Sequence, residues 1–172
     1  MRTTICRLAL LGMLTGGSLG AGLVTPANAA GTTQVSGSGT YDTAGTECGA
    51  PPAGFDDYPG LILTGDLEGC LYTDVVTTKD LGAPSGVYIE AGRELVVASL
   101  HGGPVGTFTT TYRFESKWDP DVSTGVETKG RCQHPISVRS GTGGFAGVTG
   151  RLDFKDEVTT GVYYYRGHIT LG

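Results

Sequence analysis

Thr107-Phe108-Thr109-Thr110-Thr111-Tyr112-Arg113-Phe114-Glu115-Ser116-Lys117-Trp118 separates by parity. Phe108, Thr110, Tyr112, Phe114, Ser116 and Trp118 fall on one side; Thr107, Thr109, Thr111, Arg113, Glu115 and Lys117 fall on the other. Side chains of a strand point alternately to its two faces, so this period of two, rich in aromatic and β-branched residues, marks a strand with one buried face. A helix would scatter the same aromatics around its circumference. The aromatic row is expected to face a core and the charged row to face water.

Working outward, Leu61 to Val76 repeats the pattern, with Leu61, Leu63, Leu67, Leu71 and Val75 alternating with Thr64, Asp66, Glu68 and Cys70. Gly65 and Gly69 fall on the apolar parity, where glycine marks a bend or bulge. Further strand runs cover 34–41, 86–100 (interrupted at Ala91-Gly92), 125–133, 150–157 and 162–171. The last two are joined by Val158-Thr159-Thr160-Gly161, which reads as a hairpin turn. Residues 49–60, with three prolines and two aspartates, form a long connection. No stretch keeps a helical period over three turns. Thirty glycines in 172 residues argue the same way, because glycine opposes helix and serves turns. Seven or eight strands without helices imply a sandwich or a barrel. Neighbour-to-neighbour antiparallel order favours an all-β, single up-and-down β-barrel of about eight strands, calycin-like, whose closure removes edge strands.

Residues 1–29 read as a cleaved signal peptide rather than as part of the barrel. Arg2 and Arg7 open the segment, 8–24 is apolar, Thr25-Pro26 breaks it, and Ala27-Asn28-Ala29 has the small-x-small form that signal peptidase accepts. The apolar stretch is interrupted by glycine and too short to span a bilayer. The expectation is a secreted, extracellular protein with one domain over 30–172. The segment carries two arginines and no acid, so the remainder has a net charge of −7 against −5 for the whole chain. That balance excludes the basic footprint of a nucleic-acid binder and an anionic-membrane partner. Whether the barrel is a homo-oligomer is left open.

Cys48, Cys70 and Cys132 remain, an odd number in a compartment that permits disulfides. A Cys70–Cys132 disulfide is favoured, because it would tether two strands across a long loop. A Cys48 bond to either partner stays open. No Cys-x-x-Cys, His-x-His or His-Glu-x-x-His spacing occurs, so neither metal nor cofactor is expected.

The segment Ser140-Gly141-Thr142-Gly143-Gly144-Phe145-Ala146-Gly147-Val148-Thr149-Gly150, continued by Arg151-Leu152-Asp153-Phe154, resembles the Gly-Gly-x-Gly-x-Phe-x-Gly-x-x-Gly stretch of the allene oxide cyclase and dirigent-like barrels. The ending Tyr163-Tyr164-Tyr165-Arg166-Gly167-His168 is similar to the closing strand of that group. Gly130 to Ile136, together with Leu67-Glu68-Gly69-Cys70, looks like its exported actinobacterial branch. The resemblance implies an eight-stranded barrel with a central cavity and, in some members, cofactor-independent cyclisation or steered radical coupling. Read without the family, Phe145 is placed to plug one end of the barrel.

Phe108, Tyr112, Phe114 and Phe154 form the candidate ligand-binding lining. Glu68, Glu90 and Glu94 lie in strand runs; one of them turned into an apolar cavity would be desolvated and suited to general acid work. Glu68 or Glu90, with Tyr72, Arg166 and His168, make the candidate catalytic set. The competing reading puts these glutamates on the outer face, since charge is rarely buried, and pairs Arg166 with Asp156 at the surface. His134 shares a face with Cys132, and His101 sits in a solvated loop. The leading expectation is a secreted barrel that binds a small apolar molecule. A cofactor-independent cyclase or isomerase is the alternative. A cell-surface structural or interaction protein, with a filled interior, comes third.

Overall fold

A computed structural model describes residues 31–172; the signal peptide expected over 1–29 lies outside the described residues. The strands are β1 (Thr32–Tyr41), β2 (Leu61–Gly65), β3 (Leu67–Asp80), β4 (Val87–Leu100), β5 (Gly106–Asp119), β6 (Val126–Pro135), β7 (Thr142–Gly143), β8 (Thr149–Glu157) and β9 (Val162–Thr170). Every pairing between them is antiparallel. Each strand hydrogen-bonds to the next around the ring β1-β2-β3-β4-β5-β6-β8-β9, and β9 returns to β1. Eight strands close into an up-and-down barrel, and two-residue β7 adds a short rung to the start of β5. Among the described residues there is no helix, and so none long and apolar enough to cross a membrane.

Alternation decides which side chains fill the barrel. Along β5 the even-numbered row is buried at Phe108, Thr110, Tyr112 and Ser116, while Thr111 and Arg113 are exposed. The odd-numbered rows of β1, β3 and β9 face inward, as do the even-numbered rows of β4 and β8. Gly65, at φ 105°, ends β2; it adopts a conformation that side chains rarely tolerate, against the backbone of Gly37. The glycine-rich turn over 140–150 carries Phe145 into the interior, where its ring meets Phe108 edge-on with centroids 4.8 Å apart. Leu67, Leu152, Val148 and Ile169 complete a fully buried plug at this end.

The disulfide joins Cys48 to Cys70, with Cα atoms 5.7 Å apart, and Cys132 is a free, buried thiol. This corrects the Cys70–Cys132 expectation. Alternation explains why: Cys70 sits on the outward row of β3, whereas Cys132 belongs to the inward row of β6. The bond instead ties down the long connection before β2. Asp42 holds the same loop, accepting hydrogen bonds from the backbone of Thr46, Glu47 and Cys48.

Candidate functional site

The plug fills one end of the barrel; the other half holds a cavity of about 320 Å³. Its wall is aromatic: Tyr41 on β1, Tyr88 on β4, Tyr112, Phe114 and Trp118 on β5, Phe154 on β8 and Tyr163 on β9. Tyr58 comes from the disulfide-tethered loop, which reaches over the mouth. The loop is fastened to β3 by a bridge between Asp56 and Thr73 and by Val75 N–H donating to Asp57.

Three polar groups converge inside. Glu90, only 4% exposed, accepts hydrogen bonds from the hydroxyls of Tyr58 (2.7 Å), Tyr88 (2.9 Å) and Tyr112 (2.7 Å). Donation to this carboxylate from three strands or loops satisfies a charge that would otherwise be costly to bury. Burial and then the bond to Glu90 push the Tyr88 phenol up to about 12, and move Tyr58 and Tyr112 in the same direction. These phenols are donors, not phenolates.

Deeper in, Glu94 accepts from the Thr110 hydroxyl at 2.8 Å and from His134 Nδ1. The His134 ring lies between Tyr112, nearly parallel at 6.0 Å, and Phe154 at 4.6 Å. With Nδ1–H given to Glu94, Nε2 presents a lone pair; it is buried and has no partner. The Cys132 thiol below is pushed up by burial and then by the Glu94 charge, so it stays protonated.

The third group is a carboxyl pair. Asp156 continues the inward row of β8 beyond Phe154. Glu127 has the wrong parity for the inward row of β6, yet it lines the cavity. The ladder explains this: Lys117 pairs with Lys129 and Trp118 with Glu127, so Thr128 is an extra residue. That bulge turns Glu127 inward. Gly130 makes room, since a Cβ there would collide with both Asp156 Oδ2 and Glu127 Oε1. Burial foremost, then the neighbouring Glu127 charge and a hydrogen bond to it, push Asp156 up to about 7. Burial also raises Glu127, against the opposing pull of its bond from Asp156. The two act as one group holding a shared proton.

The candidate catalytic set does not assemble. Glu68, Arg166 and His168 are exposed on the outer face, and Arg166 stands opposite Asp153, not Asp156. Tyr72 is also outside the barrel, covered by the loop, and donates to the carbonyl of Cys48 at 2.7 Å. Only Glu90 of that set enters the cavity, and Glu94 enters with it, contrary to the outward reading of both. Of the candidate lining, Tyr112, Phe114 and Phe154 line the cavity, whereas Phe108 lies in the plug. His134, Glu127, Asp156, Tyr41, Tyr58, Trp118 and Tyr163 were missed as site residues. Among the described residues, no three His, Cys, Asp or Glu side chains converge to hold a metal ion.

Fold and cavity together define a closed antiparallel barrel with one plugged end and one open, polar-aromatic pocket. No family model matches the chain, and no curated protein or solved structure is significantly similar to it.

Proposed function

We propose that the chain is an exported barrel that holds a small, largely apolar molecule in its open half. The observation that carries this is the cavity itself: about 320 Å³ walled by aromatic rings, with a few polar groups converging on it. That is the composition of a small-ligand pocket, at the lower end of the usual range of size. An interior filled throughout would instead suit the structural reading. The Cys48–Cys70 bond agrees with an oxidising compartment. The proposed likeness to the allene oxide cyclase and dirigent-like barrels rests on the glycine-rich segment 140–150 of the sequence.

Trp118, the one tryptophan of the chain, lines the cavity and reports on it directly. Native mass spectrometry of the purified protein is expected to show a co-purified small molecule. Where the cavity is emptied, aromatic ligands should quench Trp118 fluorescence saturably. An empty protein whose fluorescence answers to no ligand would remove the proposal. A cofactor-independent isomerase or cyclase is the second reading, favoured by the Glu94–His134 contact, which orients an imidazole with a free lone pair, the form a general base takes. In the same experiment such turnover appears as a ligand of unchanged mass and altered chromatographic retention.

A further inference from the structure

Three buried side-chain atoms among the described residues have no hydrogen-bond partner: Glu127 Oε1, His134 Nε2 and Asp156 Oδ2. All three residues line the one cavity. With Nδ1–H of His134 engaged by Glu94, Nε2 is suited to accept, and the two carboxyl oxygens accept once the proton they share has left. Buried polar atoms in native structures are almost always satisfied, so three orphans of one kind in one place mark what the occupant must bring. The charge inventory says the same. Glu90, Glu94, Glu127 and Asp156 line the cavity, and no lysine or arginine does.

We infer that the occupant is a cationic amine: an aromatic or aliphatic body carrying a protonated nitrogen, seated with that nitrogen between Glu127 and Asp156 at the mouth. This rests on the small-molecule reading above and specifies its ligand. Tyr41, Tyr163 and Trp118 stand around the mouth, and aromatic faces attract a desolvated cation as carboxylates do. His134, buried to 4% exposure, supplies the second and independent mark of a ligand. It sits four residues along β6 from Gly130, about 13 Å further along the strand at ~3.3 Å per residue, toward the plugged end. A hydrogen-bond donor at the far end of an elongated ligand would meet it there.

The groups facing the pair are Tyr163 on β9, Tyr41 on β1 and Cys132 on β6, all neutral acids, and the aromatic rings of β5. Burial, then the mutual repulsion of the two carboxylates, keeps a proton on the pair, and none of these neighbours supplies a positive charge to offset it. An arriving ammonium replaces that proton. Affinity therefore rises with pH as the pair ionises, by about tenfold between pH 6 and pH 8 for a single proton released near 7, so long as the amine stays charged.

The test uses the full exported protein and three probes of one shape: naphthylmethylammonium, naphthylmethanol and naphthoate, followed by calorimetry and Trp118 fluorescence. The ammonium is expected to bind at least tenfold tighter than the alcohol at pH 8, to release a proton on binding at pH 6, and to lose this advantage in the Glu127→Gln/Asp156→Asn variant. The alcohol should bind both proteins alike, which also shows that the variant is folded. Equal affinity for ammonium and alcohol, or preference for naphthoate, overturns the amine and leaves the cavity reading standing. Failure of all three to bind overturns both.

Discussion

Around Phe145 the barrel is closed and packed; around Glu90 it is hollow and acidic. Both halves are made by the same alternation on the same strands. Phe108 and Tyr112 are two positions apart on one inward row of β5, and Val96 and Glu94 are adjacent on that of β4. The strand pattern therefore fixes which residues enter the barrel, and side-chain chemistry alone decides whether that level is core or site. The plugged half should carry stability and the open half function. Phe145→Ala removes a fully buried ring with its edge contact to Phe108, and is expected to cost about 3–5 kcal/mol. Tyr112→Phe keeps the ring and removes one of three donors to Glu90, for about 1 kcal/mol. Chemical denaturation of both variants measures the contrast, and equal losses would erase the division.

The acidic half should respond to pH in a direction of its own. An aspartate held at about 7 in the fold and near its ordinary value when unfolded binds more protons in the native state between those two values. Stability contributed there falls as pH rises from about 4 to 7, and stays low above it. Asp156→Asn removes the penalty. It should stabilise the protein at pH 8 by ~1–2 kcal/mol, a figure reduced because the pair is only partly buried, and leave it unchanged at pH 4. Thermal melts at the two pH values read this out. A variant less stable than the parent at pH 8 would show that the pair is held by a compensating charge.

How far the sequence discloses this division depends on the residue. The aromatic row of 107–118, the closing hairpin and the all-β class follow from parity alone, and the structure has them. Asp156 follows in the same way from Leu152 and Phe154. Glu90 and Glu94 do not, because the other row of β4, with Val87, Ile89, Leu95 and Val97, is the more apolar one in the sequence, and only the closed barrel shows that the even row is buried. Glu127 was not legible. Its parity points outward, and only a bulge at Thr128, which no residue type there announces, reverses it. Nor could Tyr58 be placed, since a loop position says nothing about which cavity it enters. The disulfide fell between these cases: parity already set Cys70 and Cys132 on opposite faces.

The outer surface gives the smallest expected effect and the sharpest control. Glu68, Arg166 and His168 are exposed, and among the described residues no hydrogen bond or ion pair holds their side chains. Replacing all three with alanine removes charge from the wall's outside without touching a buried contact. Substitutions of this kind usually change stability by no more than about 0.5 kcal/mol each. Trp118 fluorescence titrations should give the same ligand affinity as the parent within error, because a side chain on the outward row has the sheet between it and the cavity. A loss of binding in the triple variant, with the melting curve unchanged, would move the working surface from the inside of the barrel to the outside. The contrast between plug and pocket would then describe only how the barrel is filled.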